Sequence, residues 1–258
     1  RVDRLFVTGS MMTYFYLFDY IYDADFQQKE SITAIRNHLA KDLISSLENQ
    51  KPENCDRCDF LKVIMEILAN LKTTPHDWHV LFNAELKKYV RATVSGKLYA
   101  QEFPKLSLTD YLHVREKDCG GWWSANLIEY VNDLYLTSEE RSQAEVVQLT
   151  RLCLWICSLI NDLFSFPKEM ESEEYPFNAV YFCMNCEEIP EKRAVQFLIE
   201  KLNQLIDEFK TLRKNATFQC SPAMKSYAQG LQEFVSGIWY WHQRSGIYAH
   251  PKSFFIEL

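Results

Sequence analysis

The chain has 258 residues, 47% hydrophobic and 14% aromatic, enough apolar material to bury a substantial core. Its 28 basic and 35 acidic residues give a net charge of −7, and no stripe of Lys and Arg interleaves with aromatics, so the composition argues against nucleic-acid binding. No apolar run approaches the roughly 18 to 20 residues that span a bilayer, and Arg1-Val2-Asp3-Arg4 is no secretory leader. No stable membrane insertion is expected, and the chain reads as cytoplasmic.

Only 7 Gly and 8 Pro argue for long helices rather than many tight turns. Apolar residues recur with a period near 3.6 along almost the whole chain, and nothing shows sustained strand alternation. The spacing predicts an apolar helix over residues 4–24 and an amphipathic one over 28–49, followed by a polar loop at 50–58. Further helices are expected at about 59–73, 76–102, 107–131, 138–168, 176–187, 190–214 and 221–247, with Pro75, Pro104, Pro176, Pro190 and Pro222 at their starts. This is an all-α chain read as one domain over 1–258. It opens without an initiator Met inside an apolar-periodic segment, so further N-terminal helices are expected upstream. Of its eight cysteines, the pairs Cys55/Cys58 and Cys183/Cys186 have zinc-like spacing, but they lie about 125 residues apart. Reduced thiols are the better reading, and Cys153 and Cys157 read as core.

The segment Asn161-Asp162-Leu163-Phe164-Ser165-Phe166-Pro167-Lys168-Glu169 carries the most chemistry. Each four-residue helical step rotates only about 40° past a full turn and climbs about 6 Å, so Asn161, Ser165 and Glu169 form one stripe. An amide oxygen, a hydroxyl and a carboxylate suit a hard cation such as Mg²⁺, and Lys168 adds a point charge for a phosphate. Taken alone, the same stripe is equally well a polar helix end. Pro167 removes one helical hydrogen bond and predicts a bend before Glu169.

The pattern N-D-x-x-S-x-x-K-E after the apolar run Leu152 to Ile160 resembles the second metal-binding motif of class I terpene synthases. The resemblance implies an all-α helical bundle around a central active-site cavity, and it extends from about Phe6 to Pro251. The family's first acidic motif is matched by Asp19 and Asp23 in an aromatic-rich lead, about 140 residues ahead of Asn161, with Tyr20 where a second aspartate is usual. Arg115, 46 residues ahead of Asn161, stands at the place of the family's diphosphate-sensing arginine. Asp118 would link it to a helix break at Gly120-Gly121, which can free a backbone carbonyl inside the cavity. In the C-terminal motif Trp241, Ser245 and Tyr248 fit, Ile247 replaces the expected arginine, and Arg244 is the nearest basic residue, about 60° away on a helix.

The resemblance implies three Mg²⁺ ions bridging a prenyl diphosphate to Asp19, Asp23, Asn161, Ser165 and Glu169, with Arg115, Lys168, Tyr248 and Arg244 on the diphosphate. Phe15, Phe18, Trp122, Trp123, Phe164 and Trp241 are candidates for an aromatic cavity wall that shelters an allyl cation, about half of them expected to touch the cavity. The implied activity is ionisation and cyclisation of a linear prenyl diphosphate, with farnesyl diphosphate favoured. Tyr20 and Ile247 support one alternative, a catalytically degenerate helical protein that binds a prenyl ligand or partner. A chain-elongating prenyltransferase ranks lower, because two Asp-rich motifs would be expected. The sequence leaves a homodimer open.

Overall fold

A computed structural model describes residues 2–23, 30–49, 59–95, 106–172, 176–249 and 251–254. Eleven α-helices, and no strand, are found among the described residues. The N-terminal group is α1 (Val2–Asp23), α2 (Glu30–Asn49), α3 (Asp59–Ala69) and α4 (His76–Ser95), with a 3₁₀ turn over Asn70–Thr73. The middle group is α5 (Leu108–Asp118), α6 (Gly121–Asn132), α7 (Ser138–Ser142) and α8 (Ala144–Ser172). The last group is α9 (Ala179–Cys186), α10 (Glu191–Arg213) and α11 (Pro222–Arg244), with 3₁₀ turns over Ala216–Gln219 and Gly246–Tyr248.

Local chemistry explains several helix starts. Ser107 and Asp110 form a capping box at the start of α5, and Thr137 and Glu140 do the same for α7. Ser221 caps α11 ahead of Pro222, whose missing N–H costs nothing in the first turn. Two expected helices are each divided. The run 107–131 breaks between α5 and α6, where Gly120 takes a left-handed φ of 66° that side chains disfavour. The run 138–168 breaks at Gln143, which is extended at ψ 135°, and α8 then continues to Ser172. Helix α8 continues unbroken through Pro167, so Glu169 stays on the helix. The stretch 96–105, the loop 50–58 and Cys55 and Cys58 lie outside the described residues.

Two buried clusters organise the bundle. The larger surrounds α8, whose Leu149, Leu152, Leu159, Ile160 and Leu163 meet α9, α10 and α11. Burying each such side chain contributes about 1.5–3 kcal/mol. The smaller joins α1, α2, α3 and α4. Helix α6 serves both: Trp123, Leu127 and Tyr130 face the N-terminal cluster, while Ala125 and Ile128 face the one around α8. Its approach to α11 is close enough that a Cβ on Gly230 would lie 2.2 Å from Ile128 Cγ2. Contrary to the reading of the sequence, Ala144–Glu171 is long and apolar enough to cross a membrane, but 72% of its most apolar 18-residue stretch is buried inside the bundle, as befits a central core helix. Cys153, Cys157, Cys183 and Cys186 are free thiols, and no cluster of three His, Cys, Asp or Glu able to hold a metal occurs among the described residues.

Candidate active site

The site is assembled where α5 meets α8. Buried Glu116 accepts from Arg151 Nε at 3.2 Å and from Trp155 Nε1 at 3.0 Å, both on α8, and so pins the last turn of α5 to that helix. The neighbouring Arg115 then reaches Asn161 and Asp162. Its Nη2 donates to Asn161 Oδ1 at 3.0 Å and to Asp162 Oδ1 at 2.7 Å, its Nε donates to Asp162 Oδ1 at 3.1 Å, and its Nη1 donates to Asp118 Oδ2 at 2.9 Å. The guanidinium also lies over the Phe177 ring, 5.6 Å from its centroid. Burial works against the charge on Arg115, but Asp162, Tyr111 and Asp118 beside it together outweigh burial and hold the group firmly cationic. Burial raises the Asp118 carboxyl, opposed by Arg115.

Asp162 is fully buried and is the hub of this network. Besides Arg115, it accepts from Tyr111 Oη at 2.6 Å and from the Ala179 backbone N–H at 3.2 Å. Asn178 closes the other side. Its Oδ1 caps α9 by accepting from Val180 N at 2.8 Å, while its Nδ2 donates to the Asp162 carbonyl and to Glu169 Oε2, each at 2.8 Å, and more distantly to Ser165 Oγ at 3.4 Å. Ser165 and Glu169 therefore share one side of α8, as the four-residue spacing requires. Burial, reinforced by the Asp162 charge, pushes the Glu169 carboxyl up to about 7. A carboxyl so placed gains from a nearby cation.

The C-terminal segment supplies the third wall. Asn161 Nδ2 donates to Tyr248 Oη at 3.0 Å and to His242 Nε2 at 3.1 Å. Tyr248 Oη also pairs with Tyr16 Oη on α1 at 3.1 Å. Burial lowers the His242 imidazole to about 4 and raises the Tyr248 phenol to about 12. Phe164 meets Trp239, His242 and Tyr248 at ring-centroid distances of 5.6, 5.5 and 6.4 Å, and Trp241 meets Tyr16 at 4.8 Å and Tyr248 at 5.2 Å.

The structure thus brings together Arg115, Asp118, Asn161, Ser165, Glu169, Tyr248, Phe164 and Trp241. Others are placed elsewhere. Phe15, Phe18 and Trp123 belong to the cluster of α1, α4 and α6, with Phe18 fully buried and the Phe15 and Trp123 rings 4.8 Å apart. Trp122 lines a surface crevice with Lys88, Lys117 and Gly120. Lys168 is exposed on α8. Arg244 is exposed and stacks over Tyr240 at 4.5 Å, because its position on α11 turns it away from His242. Ile247 is 49% exposed. The Gly120 carbonyl is not free, since Ser124 N and Oγ both donate to it, at 3.2 and 2.9 Å. Asp19 and Asp23 fall in the closing turns of α1, and their side chains lie outside the described residues.

Five further residues belong to the site. Asp162 stood inside the quoted motif and His242 inside the C-terminal one, and Asn178 ahead of an apolar helical run carries an N-cap signal. Tyr111 and Tyr16 gave no sequence signal beyond being aromatic.

The family model described as Terpene synthase family 2, C-terminal metal binding, matches residues 10–208. The chain is 22% identical to Terpene synthase 6 of Dictyostelium discoideum over 268 residues, covering 99% of this chain and 73% of that protein. It is 24% identical to the aristolochene synthase of Penicillium roqueforti over 151 residues, covering 55% of this chain and 44% of that one. Among solved structures, an α-eudesmol synthase superposes with a TM-score of 0.79 at 16% identity, over 95% of this chain and 81% of the other. The germacradien-4-ol synthase of Streptomyces citricolor gives 0.78 at 16% identity, over 95% and 80%. With that match spanning both Asp19 and Asp23 of α1 and the Asn161–Glu169 stripe, the chain belongs to the metal-binding class I terpene synthases and is a terpene synthase of the all-α fold.

Proposed function

We propose that this terpene synthase uses Mg²⁺ to ionise and cyclise a linear prenyl diphosphate, farnesyl diphosphate first among the candidates, with release of diphosphate. The observation that carries this is the hydrogen bond from Arg115 to Asn161, which sets an anion-binding guanidinium at the head of a stripe of hard oxygen donors. The amide, hydroxyl and carboxylate of Asn161, Ser165 and Glu169 fit one Mg²⁺, and Asp19 with Asp23 on α1 would hold the other two. Mg²⁺ held there would neutralise the diphosphate and stabilise the charge that develops on it as it leaves.

The chain's own residues supply the rest. Arg115 offers a planar fork to phosphate oxygens, kept charged by Asp162. Tyr248 offers a phenolic O–H next to Asn161. Phe164, Trp241 and Tyr16 present aromatic faces that stabilise a carbocation by about 0.5–2 kcal/mol each without capturing it. Neither Ile247 nor Arg244 adds a guanidinium to the cluster, so the diphosphate is held with one fewer cation at this end.

The test is to incubate the protein with farnesyl diphosphate and Mg²⁺ under an organic overlay and analyse the extract by gas chromatography with mass detection, beside an EDTA control. A metal-dependent cyclic terpene is expected, and Asn161→Ala should lose it while keeping a helical circular-dichroism spectrum and a cooperative melt. Product formed equally in EDTA, or none from the C10, C15 and C20 diphosphates alike, would overturn the proposal.

A further inference from the structure

We propose that His242 is a positioning residue that, from the NH₂ side and together with Arg115 on the oxygen side, locks which way the Asn161 carboxamide points, and thereby aims Asn161 Oδ1 at the metal. The inference rests on Asn161 being a metal ligand, as proposed above, and assigns a role to a side chain outside the metal-binding stripe.

The argument is one of donors and acceptors. Arg115 has only N–H groups, so the Asn161 atom 3.0 Å from its Nη2 must be the carbonyl oxygen. The Asn161 NH₂ group then faces His242 Nε2 at 3.1 Å and Tyr248 Oη at 3.0 Å. An NH₂ group can only donate, so Nε2 must present its lone pair. The other ring nitrogen settles the tautomer: His242 Nδ1 lies 2.7 Å from the Ile238 carbonyl, which can only accept, so Nδ1 carries the proton.

This arrangement makes the imidazole an acceptor with no freedom to become a donor. If the Asn161 amide flipped, its oxygen would face the bare Nε2 lone pair, and its NH₂ would face the Arg115 N–H. Both contacts would be repulsive. Tyr248 alone cannot impose this choice, because a hydroxyl rotates to donate or accept. His242 is itself held firmly. It is 3% exposed, stacks on Tyr248 with centroids 4.4 Å apart at 24°, and packs edge-on against Trp241 at 5.0 Å. The one-turn step from Ile238 to His242 on α11 sets the ring angle, so the orientation of a ligand on α8 is dictated from a different helix.

The experiment compares the parent with His242→Phe, which keeps the ring and removes the acceptor, and His242→Gln, whose amide oxygen can occupy the Nε2 position. Thermal unfolding is followed while Mg²⁺ is titrated in the presence of inorganic pyrophosphate, and the Mg²⁺ dependence of turnover is read in parallel. His242→Phe is expected to raise the Mg²⁺ concentration for half-maximal stabilisation by about three- to tenfold, the worth of one orienting hydrogen bond. His242→Gln should return it to within about twofold of the parent. If His242→Phe fails to fold, His242→Leu replaces it as the acceptor-free variant. A parent-like Mg²⁺ midpoint in the acceptor-free variant, or equal impairment in the Phe and Gln variants, would overturn the inference while leaving the metal site standing. A parent that shows no Mg²⁺-dependent stabilisation would instead remove the metal reading, and the role of His242 with it.

Discussion

Asp162→Asn is the sharpest perturbation of the network, because it changes charge with almost no change in shape. In the native site the carboxylate accepts four hydrogen bonds, two from Arg115 at 2.7 and 3.1 Å, one from Tyr111 at 2.6 Å and one from Ala179 N at 3.2 Å. Asparagine keeps one acceptor oxygen. If that oxygen stays on Arg115, the new NH₂ faces Tyr111, whose hydroxyl can turn to accept, and Ala179 N–H, which cannot. Leaving that buried N–H unpaired costs about 1–3 kcal/mol, and turning two charge-assisted bonds at Arg115 into neutral-acceptor ones costs about 1 kcal/mol more. Loss of the Asp162 charge also relieves its repulsion of Glu169, a smaller opposing gain because burial is the first cause of that carboxyl's shift. The net expectation is a loss of about 3 kcal/mol, which for a chain of this size lowers the melting temperature by about 6–12 °C. Circular-dichroism melts of the parent and Asp162→Asn without metal, with urea titration as a second measure, test this. A drop of less than about 2 °C would refute the view that Asp162 holds Arg115 and α9 in place.

Gly120→Ala should lower the urea midpoint by the equivalent of about 1–3 kcal/mol at unchanged m, since a left-handed backbone disfavours a side chain and the new Cβ would lie 2.7 Å from Trp123 Nε1. An unchanged midpoint would mean that the break between α5 and α6 tolerates a different conformation. Arg244→Ala should leave the KM for the diphosphate substrate within about twofold, given its exposed stack on Tyr240; a tenfold rise would place it on the substrate after all. Glu140 supplies a pH dependence of stability. Burial raises its carboxyl, but hydrogen bonds from Ser221 and Thr137, with Arg141 nearby, outweigh burial and hold it below the usual glutamate range. A depressed folded-state pKa contributes stability above the unfolded value near 4.3, lost as pH falls through the folded one. The difference in melting temperature between the parent and Glu140→Gln should therefore be largest near neutrality and shrink below about pH 4, and a constant difference down to pH 3 would contradict the capping role.

The sequence by itself determined what depends on neighbours along the chain. Apolar residues at period 3.6 with few Gly and Pro can only pack as helices, so the all-α class and the order of elements were legible, as were the starts at Ser107, Thr137 and Pro222. Asn161, Ser165 and Glu169 share a stripe because helix geometry alone puts them there, and the spacing to Arg115 singled out its place. The division at Gly120 was foreshadowed by the Gly120-Gly121 pair, whereas the one at Gln143 was missed because periodicity carries across a short break that keeps the apolar face in register. The rest was decided by tertiary structure. Asp162, Asn178, His242 and Tyr16 sit on different helices and turns, and a polar side chain finds its partner only when packing sets the distance and angle between elements. The same holds for the aromatics: Phe18 and Phe164 are alike in the sequence, but the packing of α1 against α4 buries the first in the N-terminal cluster beside Tyr89, while α8 turns the second toward His242 and Tyr248.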